Sequence, residues 1–301
     1  MSRVGIVGVG LMGGAMALRL LETGHEVAAC DIDAARLKLA VDAGAAAVAM
    51  PAALASCEIV IVAVVDASQT REVLFGADGL AAALPVGATV VLCPTIGPAD
   101  TETFAVALAE RGIGCIDAPM SGGPERARLG TMSLMVACPQ ASFEHWQPLL
   151  HTLASRLFRI GERAGDGART KLVNNLLAAV NLAGAAEAMA LAGRLGLDPA
   201  ATLGVIEESS GQSWIGSDRL RRALAADPTP RAHMALLAKD SALALDAARL
   251  AGLALPLGES AARRFAQALE AGLGQADDSA LWRWIEAEAA ATPGRGSGSA
   301  P

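Results

Sequence analysis

Three glycines, Gly8, Gly10 and Gly13, follow directly on the apolar, β-branched segment Val4–Val7 near the start of the chain. Glycines at this spacing between a strand and a helix allow a tight turn, a close approach of a phosphate to the backbone, and close packing of the helix on the strand. The first N–H groups of the helix then face the phosphate. The opening of the chain therefore predicts an α/β domain that binds a phosphate-containing ligand after its first strand.

The first half of the chain alternates short apolar segments with alanine-rich segments of helical periodicity. Short apolar runs bounded by Gly, Pro or Asp are typical of strands. The predicted strands are Val4–Val7, Glu26–Cys30, Glu58–Val64, Thr89–Cys93, Gly114–Asp117, Met132–Ala137 and Arg156–Ile160. The predicted helices are Leu11–Glu22, Ala34–Asp42, Asp100–Arg111 and Ala141–Ala154. Strands that alternate with helices of this length form a doubly wound parallel sheet covered on both faces.

The pattern changes after residue 161, where helical segments follow one another without a convincing strand. The predicted helices are Ala168–Leu195, Pro199–Glu208, Trp214–Ala226, His233–Ala251, Pro256–Ala271 and Ser279–Glu288. We therefore predict an α/β domain over residues 1–161 and an all-helical domain over residues 162–290, joined by the long first helix. Residues 291–301 are rich in Pro, Gly and Ser, which predicts a disordered tail.

Composition argues against several classes of partner. The net charge is −7, whereas binding to nucleic acid requires clustered positive charge. The five cysteines are scattered without metal-ligand spacing, so we expect neither a disulfide framework nor a metal site. No signal sequence opens the chain, and Asn181 and Glu187 interrupt the long alanine-rich helix. We therefore expect no membrane segment and a cytoplasmic location.

An acidic residue, Asp31, stands at the end of the second predicted strand, 18 residues after Gly13. A carboxylate at this point accepts hydrogen bonds from the ribose hydroxyls of an adenosine and repels a 2′-phosphate. Asp33 offers no support to such a phosphate, and Arg36 is the nearby cation. These residues predict NAD as the cofactor, with NADP as the alternative.

Two further segments carry polar groups suited to binding and catalysis. Ser121, Gly122 and Gly123 follow the fifth predicted strand and offer a hydroxyl and backbone N–H groups to a carboxylate, although an ordinary loop explains them equally well. Lys171 and Asn175 are four residues apart, hence on one face of the long helix. The helix start and apolar surroundings favour a neutral lysine, which can take a proton from an alcohol. A solvated surface lysine is the alternative.

Two pairs of adjacent charged residues are predicted to lie outside any anion-binding or metal-binding site. Arg221-Arg222 is predicted to lie on a solvated helix face or in an oligomer contact. Asp277-Asp278 has no further metal ligands nearby in the sequence, so it is predicted to form the N-terminal turn of a helix.

Four blocks of sequence make the chain similar to the β-hydroxyacid dehydrogenase family. They are residues 8–13, Asp117–Gly123, Gly165–Asn175 and the pair Lys239-Asp240, and they occur in the family's order and spacing. The resemblance extends from Arg3 to about Glu288. It implies a Rossmann-type domain, a long interdomain helix, and a helical domain that also builds a homodimer or homotetramer. The implied activity is hydride transfer between NAD and a small hydroxy-carboxylate.

The resemblance also implies roles for individual residues at the reacting end of the site. Lys171 resembles the family's catalytic lysine, which acts as general acid and base. Asn175 resembles the asparagine that holds the substrate. Ser121, Gly122 and Gly123 resemble the family's carboxylate-binding loop, with Met120 in a position that valine usually holds.

A second group of residues is expected at the cofactor. Leu11 and Met12 belong to the glycine turn, and the resemblance places Met12 near the nicotinamide. Thr95 matches a threonine near the nicotinamide ribose, although Cys93-Pro94 replaces the usual Asp-Cys-Ser run before it. Lys239 matches a lysine that contacts the cofactor, and the neighbouring Asp240 is expected to position its helix.

Within the family, several segments resemble the L-threonate dehydrogenase branch. These segments are Val64–Thr70, Arg159–Arg163, Gly211–Trp214 and Ala276–Ala280. Trp214 is therefore expected to shape the substrate pocket, with ordinary helical packing as the alternative. The first expectation for the substrate is L-threonate or a related four-carbon aldonate.

Three other functions stay open at this point. The first is a 3-hydroxyisobutyrate dehydrogenase, and the second is a reductase of tartronate or succinic semialdehyde. The third, from a different class, is a non-catalytic NAD-binding redox sensor, against which the presence of both Lys171 and Asn175 counts.

Overall fold

The structure is a computed structural model that describes residues 3–227 and 229–291. The chain divides into two compact units, between Val173 and Asn174. This division falls inside a continuous helix, and the domain boundary expected at residue 161 stays a prediction. Of the predicted tail, only Ala291 lies within the described residues, where it ends the last helix.

The first unit is built on a single sheet. Its strands are β1 (Arg3–Val7), β2 (Glu26–Cys30), β3 (Ala46–Ala47), β4 (Ile59–Val62), β5 (Thr89–Leu92), β6 (Gly114–Asp117), β7 (Met120–Ser121), β8 (Met132–Ala137) and β9 (Ala154–Gly161). The strands β3-β2-β1-β4-β5-β6 lie side by side in this order and are all parallel. β8 extends the sheet antiparallel to β6 and β7, and β9 pairs with β8 in parallel.

Helices cover both faces of this sheet. They are α1 (Leu11–Glu22), α2 (Ala34–Asp42), α3 (Ala67–Phe75), α4 (Leu80–Ala83), α5 (Pro98–Ala109), α6 (Gly123–Leu129) and α7 (Gln140–Leu153), with a 3-10 turn at Pro51–Leu54. One apolar core includes Met16 and Trp146, and a second core includes Leu74 and Phe104. β4 and β5 are therefore buried along their whole length, as their continuous apolar sequences require.

The predicted doubly wound sheet is confirmed, and all seven predicted strands are present within one or two residues at each end. The sequence analysis missed the two-residue strands β3 and β7 and the helices α3, α4 and α6. α3 is largely polar and begins at a cap, where the Asp66 side chain accepts the Gln69 N–H at 2.9 Å. A short polar helix of this kind gives little apolar periodicity to detect.

All the regular elements among the described residues of the second unit are helices. It contains most of α8 (Asp166–Arg194), followed by α9 (Pro199–Glu207), α10 (Trp214–Leu224), α11 (Met234–Leu250), α12 (Pro256–Glu270) and α13 (Ala280–Ala291). Ala179, Leu182, Ala186 and Met189 form the stripe of α8 that enters the core of this unit. Their spacing of three and four residues is that of one helical face. The predicted all-helical second half is thus confirmed.

α8 is long and apolar enough to cross a membrane by length and composition alone, with a mean hydropathy of 1.5 over its most apolar 18 residues. The core helix of a soluble protein passes the same test, so a single helix of this kind is weak evidence for a membrane protein.

A buried ion network joins α10 to the turn before α13. The Arg222 guanidinium contacts both carboxylate oxygens of Asp277, and Arg219 Nε donates to Asp278 Oδ1 at 2.6 Å. The expectation that Arg222 is solvated or in an oligomer contact is therefore wrong, because its side chain is as buried as that of Asp277. Its neighbour Arg221 is exposed, as expected, and pairs with Glu207.

The Asp277 carboxylate also organises the backbone around it. It accepts the N–H groups of Arg231 at 2.7 Å and of Ser279 at 3.0 Å. Burial works against ionisation, but hydrogen bonds from Ser279, Arg231 and Ala232 lower the pKa of Asp277 to about 2. The side chain therefore stays ionised at neutral pH and holds the loop at 231–232 against the start of α13.

The ion network yields a stability prediction. Arg222→Ala leaves the Asp277 charge buried without its main ionic partner, which destabilises a protein by about 3–5 kcal/mol. Arg221→Ala is the matched control, and it is expected to leave the midpoint of urea unfolding almost unchanged. Equal midpoints for the two variants would show that the network does not support the helical unit.

Candidate active site

The turn between β1 and α1 is closed by backbone contacts that leave no room for side chains at Gly8 and Gly13. Gly8 has a φ of +89°, and a Cβ there would lie 2.7 Å from the carbonyl oxygen of Ala63. A Cβ on Gly13 would lie 1.8 Å from the carbonyl oxygen of Gly8, so α1 packs directly on the turn. A Cβ on Gly10 would meet only the Arg36 guanidinium, at 3.5 Å. Gly10 therefore leaves the surface of the turn open to a ligand.

The start of α1 fits the pyrophosphate of a dinucleotide. The helix begins at Leu11, and the preceding Gly10 has no side chain with which to cap it. The first turn, which includes Met12, carries no acidic side chain that would repel a phosphate. Its N–H groups and the positive end of the helix dipole are therefore available to an anion.

Asp31, directly after β2, is tied to this turn. Its Oδ2 accepts the N–H of Val9 at 2.7 Å, and its Oδ1 accepts the N–H of Asp33 at 2.8 Å. Each carboxylate oxygen can accept more than one hydrogen bond, so ribose hydroxyls fit alongside these contacts. Sequence reasoning assigned Asp31 to the ribose and missed its support of the turn. Arg36 pairs with Asp33, at 3.3 Å from Nε to Oδ2, while its Nη1 lies over Gly10.

The parallel strands bring the predicted cofactor and substrate segments of the first unit to one edge. Asp31 follows β2, the glycine turn follows β1, Thr95 follows β5, and Ser121 follows β6. Across the sheet these strands lie in the order β2-β1-β4-β5-β6. With neighbouring strands about 4.8 Å apart, Asp31 and the end of β6 are roughly 19 Å from each other. An extended ligand along this edge meets Asp31 at one end and the loop after β6 at the other.

The loop after β6 is open and rich in unusual backbone conformations. Ser121 ends β7 opposite Ser133 of β8. Gly122 and Gly123 follow with φ values of +130° and +74°, which side chains rarely adopt. A Cβ on Gly123 would meet no atom within 4 Å, so the backbone there is accessible to a ligand.

Lys171 lies in the second turn of α8, and the side chain of this lysine is buried at 8% exposure. The solvated surface lysine considered above is thereby excluded. The first turn of α8 packs on the carboxyl end of β6, where Asp117 accepts the N–H groups of Gly165 and Ala168. The structure therefore brings Lys171 to the same sheet edge as Thr95 and the loop after β6.

The remaining predicted residues belong to the second unit. Asn175 is buried, and its Nδ2 donates to Asp240 Oδ2 at 2.6 Å. The same carboxylate pairs with Lys239, whose Nζ lies 2.7 Å from Asp240 Oδ1. Asp240, expected only to position its helix, thus joins the two predicted site residues of this unit. Trp214 begins α10 and is 49% exposed. Its ring centroid lies 6.0 Å from the Cζ atom of Arg219.

No metal site is assembled in the described parts of the chain, and the buried Cys93 thiol is not ionised near neutral pH. Over residues 3–227 and 229–291, no three His, Cys, Asp or Glu side chains are placed to hold a metal ion. Burial raises the pKa of the Cys93 thiol to about 12. A thiolate is therefore not formed there near neutral pH.

Comparison with known proteins agrees with this geometry. Residues 3–161 match the family described as the NAD binding domain of 6-phosphogluconate dehydrogenase. Residues 165–285 match the family described as "NAD-binding of NADP-dependent 3-hydroxyisobutyrate dehydrogenase". The L-threonate dehydrogenase of Cupriavidus necator is 41% identical over 283 residues, which cover 93% of this chain and 95% of that protein.

Solved structures give the same result. The 3-hydroxyisobutyrate dehydrogenase of Salmonella typhimurium matches with a TM-score of 0.87 at 35% identity, over 94% of this chain and all of that one. The structure of Psf3 in complex with NADP+ and 2-OPP matches with a TM-score of 0.88 at 26% identity, over 94% of this chain and 99% of that one.

A dinucleotide turn on a doubly wound sheet, followed by an all-helical unit, defines an NAD(P)-dependent oxidoreductase that acts on a CH–OH group. The chain belongs to the β-hydroxyacid dehydrogenase family. The expected class of enzyme and the expected nicotinamide cofactor are therefore confirmed, and the non-catalytic redox sensor is not supported.

The glycine turn yields a prediction for cofactor binding. Gly13→Ala places a methyl group 1.8 Å from the Gly8 carbonyl oxygen, so α1 has to move away from the turn that is expected to face the pyrophosphate. We expect the Kd for NADH, measured by fluorescence titration, to rise roughly tenfold or more, a change of about 1.4 kcal/mol. Gly184→Ala, where an added Cβ meets nothing within 4 Å, is the matched control and should bind NADH as the unaltered protein does. Unchanged affinity in both variants would contradict the assignment of the turn.

Proposed function

We propose that this protein oxidises a small hydroxy-carboxylate with NAD, and that its substrate is L-threonate or a related four-carbon aldonate. The observation that carries the proposal is the buried Lys171 at the sheet edge that also bears the dinucleotide turn and the Ser121–Gly123 loop. The choice of L-threonate rests on the similarity to the Cupriavidus necator enzyme over nearly the whole chain.

Lys171 is proposed as the general base. In the neutral form its Nζ accepts the proton of the substrate hydroxyl while hydride leaves the same carbon, and in the reverse direction it returns a proton to the carbonyl oxygen. The nicotinamide ring, when bound, accepts the hydride. Burial of the lysine keeps water away from the reacting atoms.

The loop at Ser121–Gly123 is proposed to bind the substrate carboxylate. The Ser121 hydroxyl and the backbone N–H groups of Gly122 and Gly123 donate hydrogen bonds to it. These donors come from a backbone that needs no rearrangement, because the glycines already hold positive φ values. A fixed carboxylate leaves the hydroxyl-bearing carbon in a defined position for proton and hydride transfer.

The cofactor is proposed to lie along the carboxyl edge of the sheet. Asp31 accepts hydrogen bonds from the adenosine ribose and favours NAD over NADP. The turn that includes Leu11 and Met12 binds the pyrophosphate, and Thr95 contacts the nicotinamide ribose. Lys239 is proposed as a further cofactor contact.

Two residues of the helical unit are proposed as substrate contacts. Asn175 has one N–H committed to Asp240, which fixes the plane of its amide and leaves its second N–H for the substrate. Trp214, half-exposed at the start of α10, is proposed to form one wall of the substrate pocket. We further propose a cytoplasmic homo-oligomer, a homodimer or homotetramer.

A 3-hydroxyisobutyrate dehydrogenase is the second candidate, favoured by the match to the Salmonella typhimurium structure. It would use the same residues for the proton transfer and for the carboxylate. The two candidates differ in the substrate, because 3-hydroxyisobutyrate carries a single primary hydroxyl and L-threonate carries hydroxyls on each carbon beyond its carboxylate.

The role of Lys171 gives the first test. Lys171→Ala removes the general base, so kcat should fall by about 10²–10⁴-fold while the Kd for NADH stays unchanged. Lys38→Ala is the matched control, because Lys38 is exposed and pairs with Asp42 on α2. Near-full turnover by Lys171→Ala would refute the proposed mechanism.

The substrate choice has a separate test. NAD reduction by the purified protein is measured with L-threonate, D-erythronate, D-glycerate and 3-hydroxyisobutyrate at mildly alkaline pH, where the lysine is more readily neutral. We expect the highest kcat/KM with L-threonate. Turnover with 3-hydroxyisobutyrate alone would support the second candidate and leave the proton-transfer mechanism intact.

A further inference from the structure

Asp117 is a buried acidic residue to which the proposed mechanism gives no role. It ends β6 and is 2% exposed. Its Oδ2 accepts the N–H of Gly165 at 2.8 Å and the N–H of Ala168 at 3.1 Å. These donors lie in the first turn of α8 and directly before it, about fifty residues further along the chain. A carboxylate on a strand therefore caps the helix that carries Lys171.

The contact between this helix start and the sheet is tight. A Cβ on Gly167 would lie 3.0 Å from Asp117 Oδ1 and 2.6 Å from the carbonyl oxygen of Met135 on β8. The first turn of α8 is thus held against the end of β6 and against the neighbouring strand β8. A site supported in this way places its side chains more reproducibly than one on a loop.

The electrostatics fit a capping role. Burial raises the pKa of Asp117 to about 6, and the N–H groups of Ala168, Gly165 and Gly167 oppose this rise. Asp166 adds a further negative charge nearby, but it pairs with Arg163 and Arg169. At neutral and alkaline pH the carboxylate is ionised, and an ionised acceptor at a helix N-terminus forms stronger hydrogen bonds than a neutral one.

We propose that Asp117 is a positioning residue for Lys171, whose carboxylate fixes the first turn of α8 on the end of β6. The same strand leads into the Ser121–Gly123 loop. Asp117 therefore fixes the position of the Lys171 amine relative to the proposed carboxylate-binding loop. The inference rests on the proposed role of Lys171 as general base.

The expected effect on catalysis follows from the short separation between the capped turn of α8 and Lys171. Lys171 follows Ala168 by three residues, so a shift of the helix start moves the amine directly. A displacement of about 1 Å at a reacting group can lower the rate by roughly 10²-fold. Asp31, the glycine turn and Thr95, which are proposed to bind the cofactor, follow strands other than β6, so we expect the same shift to leave them in place.

The test begins with Asp117→Asn. This variant keeps the size of the side chain but removes its negative charge, so the amide oxygen accepts the N–H groups of Gly165 and Ala168 less strongly than the carboxylate oxygen does. We expect kcat to fall by roughly 10- to 100-fold, while the KM for the hydroxy acid and the Kd for NADH change by less than about threefold.

Asp198→Asn is the matched control. Asp198 caps α9 in the same manner, with Oδ1 accepting the N–H of Ala201 at 2.7 Å, and it has no proposed part in the site. Its kcat is expected to equal that of the unaltered protein. A fall equal to that of Asp117→Asn would attribute the effect to helix stability in general and overturn the proposal.

The deciding measurement is a double-mutant cycle on kcat. If Asp117 acts through Lys171, then Asp117→Asn introduced into Lys171→Ala changes kcat by less than about twofold. A loss that multiplies with that of Lys171→Ala would overturn the inference. Gly167→Ala is a second route to the same result, because its methyl group would lie 2.6 Å from the Met135 carbonyl oxygen and 3.0 Å from Asp117 Oδ1, and so pushes the first turn off the sheet while the Asp117 carboxylate is retained.

The cycle separates this inference from the proposed function. Strong loss in Lys171→Ala with full activity in both Asp117→Asn and Gly167→Ala would keep the general base and reject Asp117 as its support. Full activity in Lys171→Ala would reject both. If Asp117→Asn does not fold, Gly167→Ala decides the question by the same criteria.

Discussion

The parallel pairing of β1, β2, β4, β5 and β6 is the constraint on which the site depends. Parallel strands end at a common edge, so residues that follow different strands meet there however far apart they are in sequence. Both faces of the sheet are buried, which fixes the register, since a slip of one residue would exchange the two faces of a strand. The packing of the core and the alignment of Asp31, Thr95 and Ser121 are therefore set by the same contacts.

Much of this fold follows from the sequence because its signals are local. α1 and α2 have the predicted ends, since a glycine turn and the Asp33 cap mark where they begin. The long helices of the second unit follow from apolar residues at intervals of three and four. α3 and α4 escaped prediction because one is largely polar and the other has only four residues. Where a segment has no apolar periodicity, its secondary structure depends on the tertiary packing around it, which the sequence pattern does not reveal.

The site residues divide in a similar way. The glycine turn can be predicted from the sequence, because each of its glycines meets a local steric requirement. Lys171 can be recognised from its place in a family motif. The partners of the buried charges cannot be predicted from sequence patterns. Arg222 and Asp277 are 55 residues apart, and Asp117 and Ala168 are 51 apart. Helical spacing rules report neighbours within one or two turns and say nothing about such pairs.

The two hydrogen bonds of Asp31 have a consequence for redesign and for evolutionary drift between cofactors. Its Oδ2 holds Val9 in the turn, so the residue proposed to meet the ribose is also part of the scaffold of the turn proposed to bind the pyrophosphate. Exchanging it for a small apolar residue to admit a 2′-phosphate would remove an acceptor from Val9 and loosen the turn for both dinucleotides. A workable path keeps an oxygen at this position, as Asn or Ser would, and recruits Arg36 from Asp33 to the phosphate. A substitution of Asp31 is thus expected to change the preference between NAD and NADP and the stability of the turn at the same time.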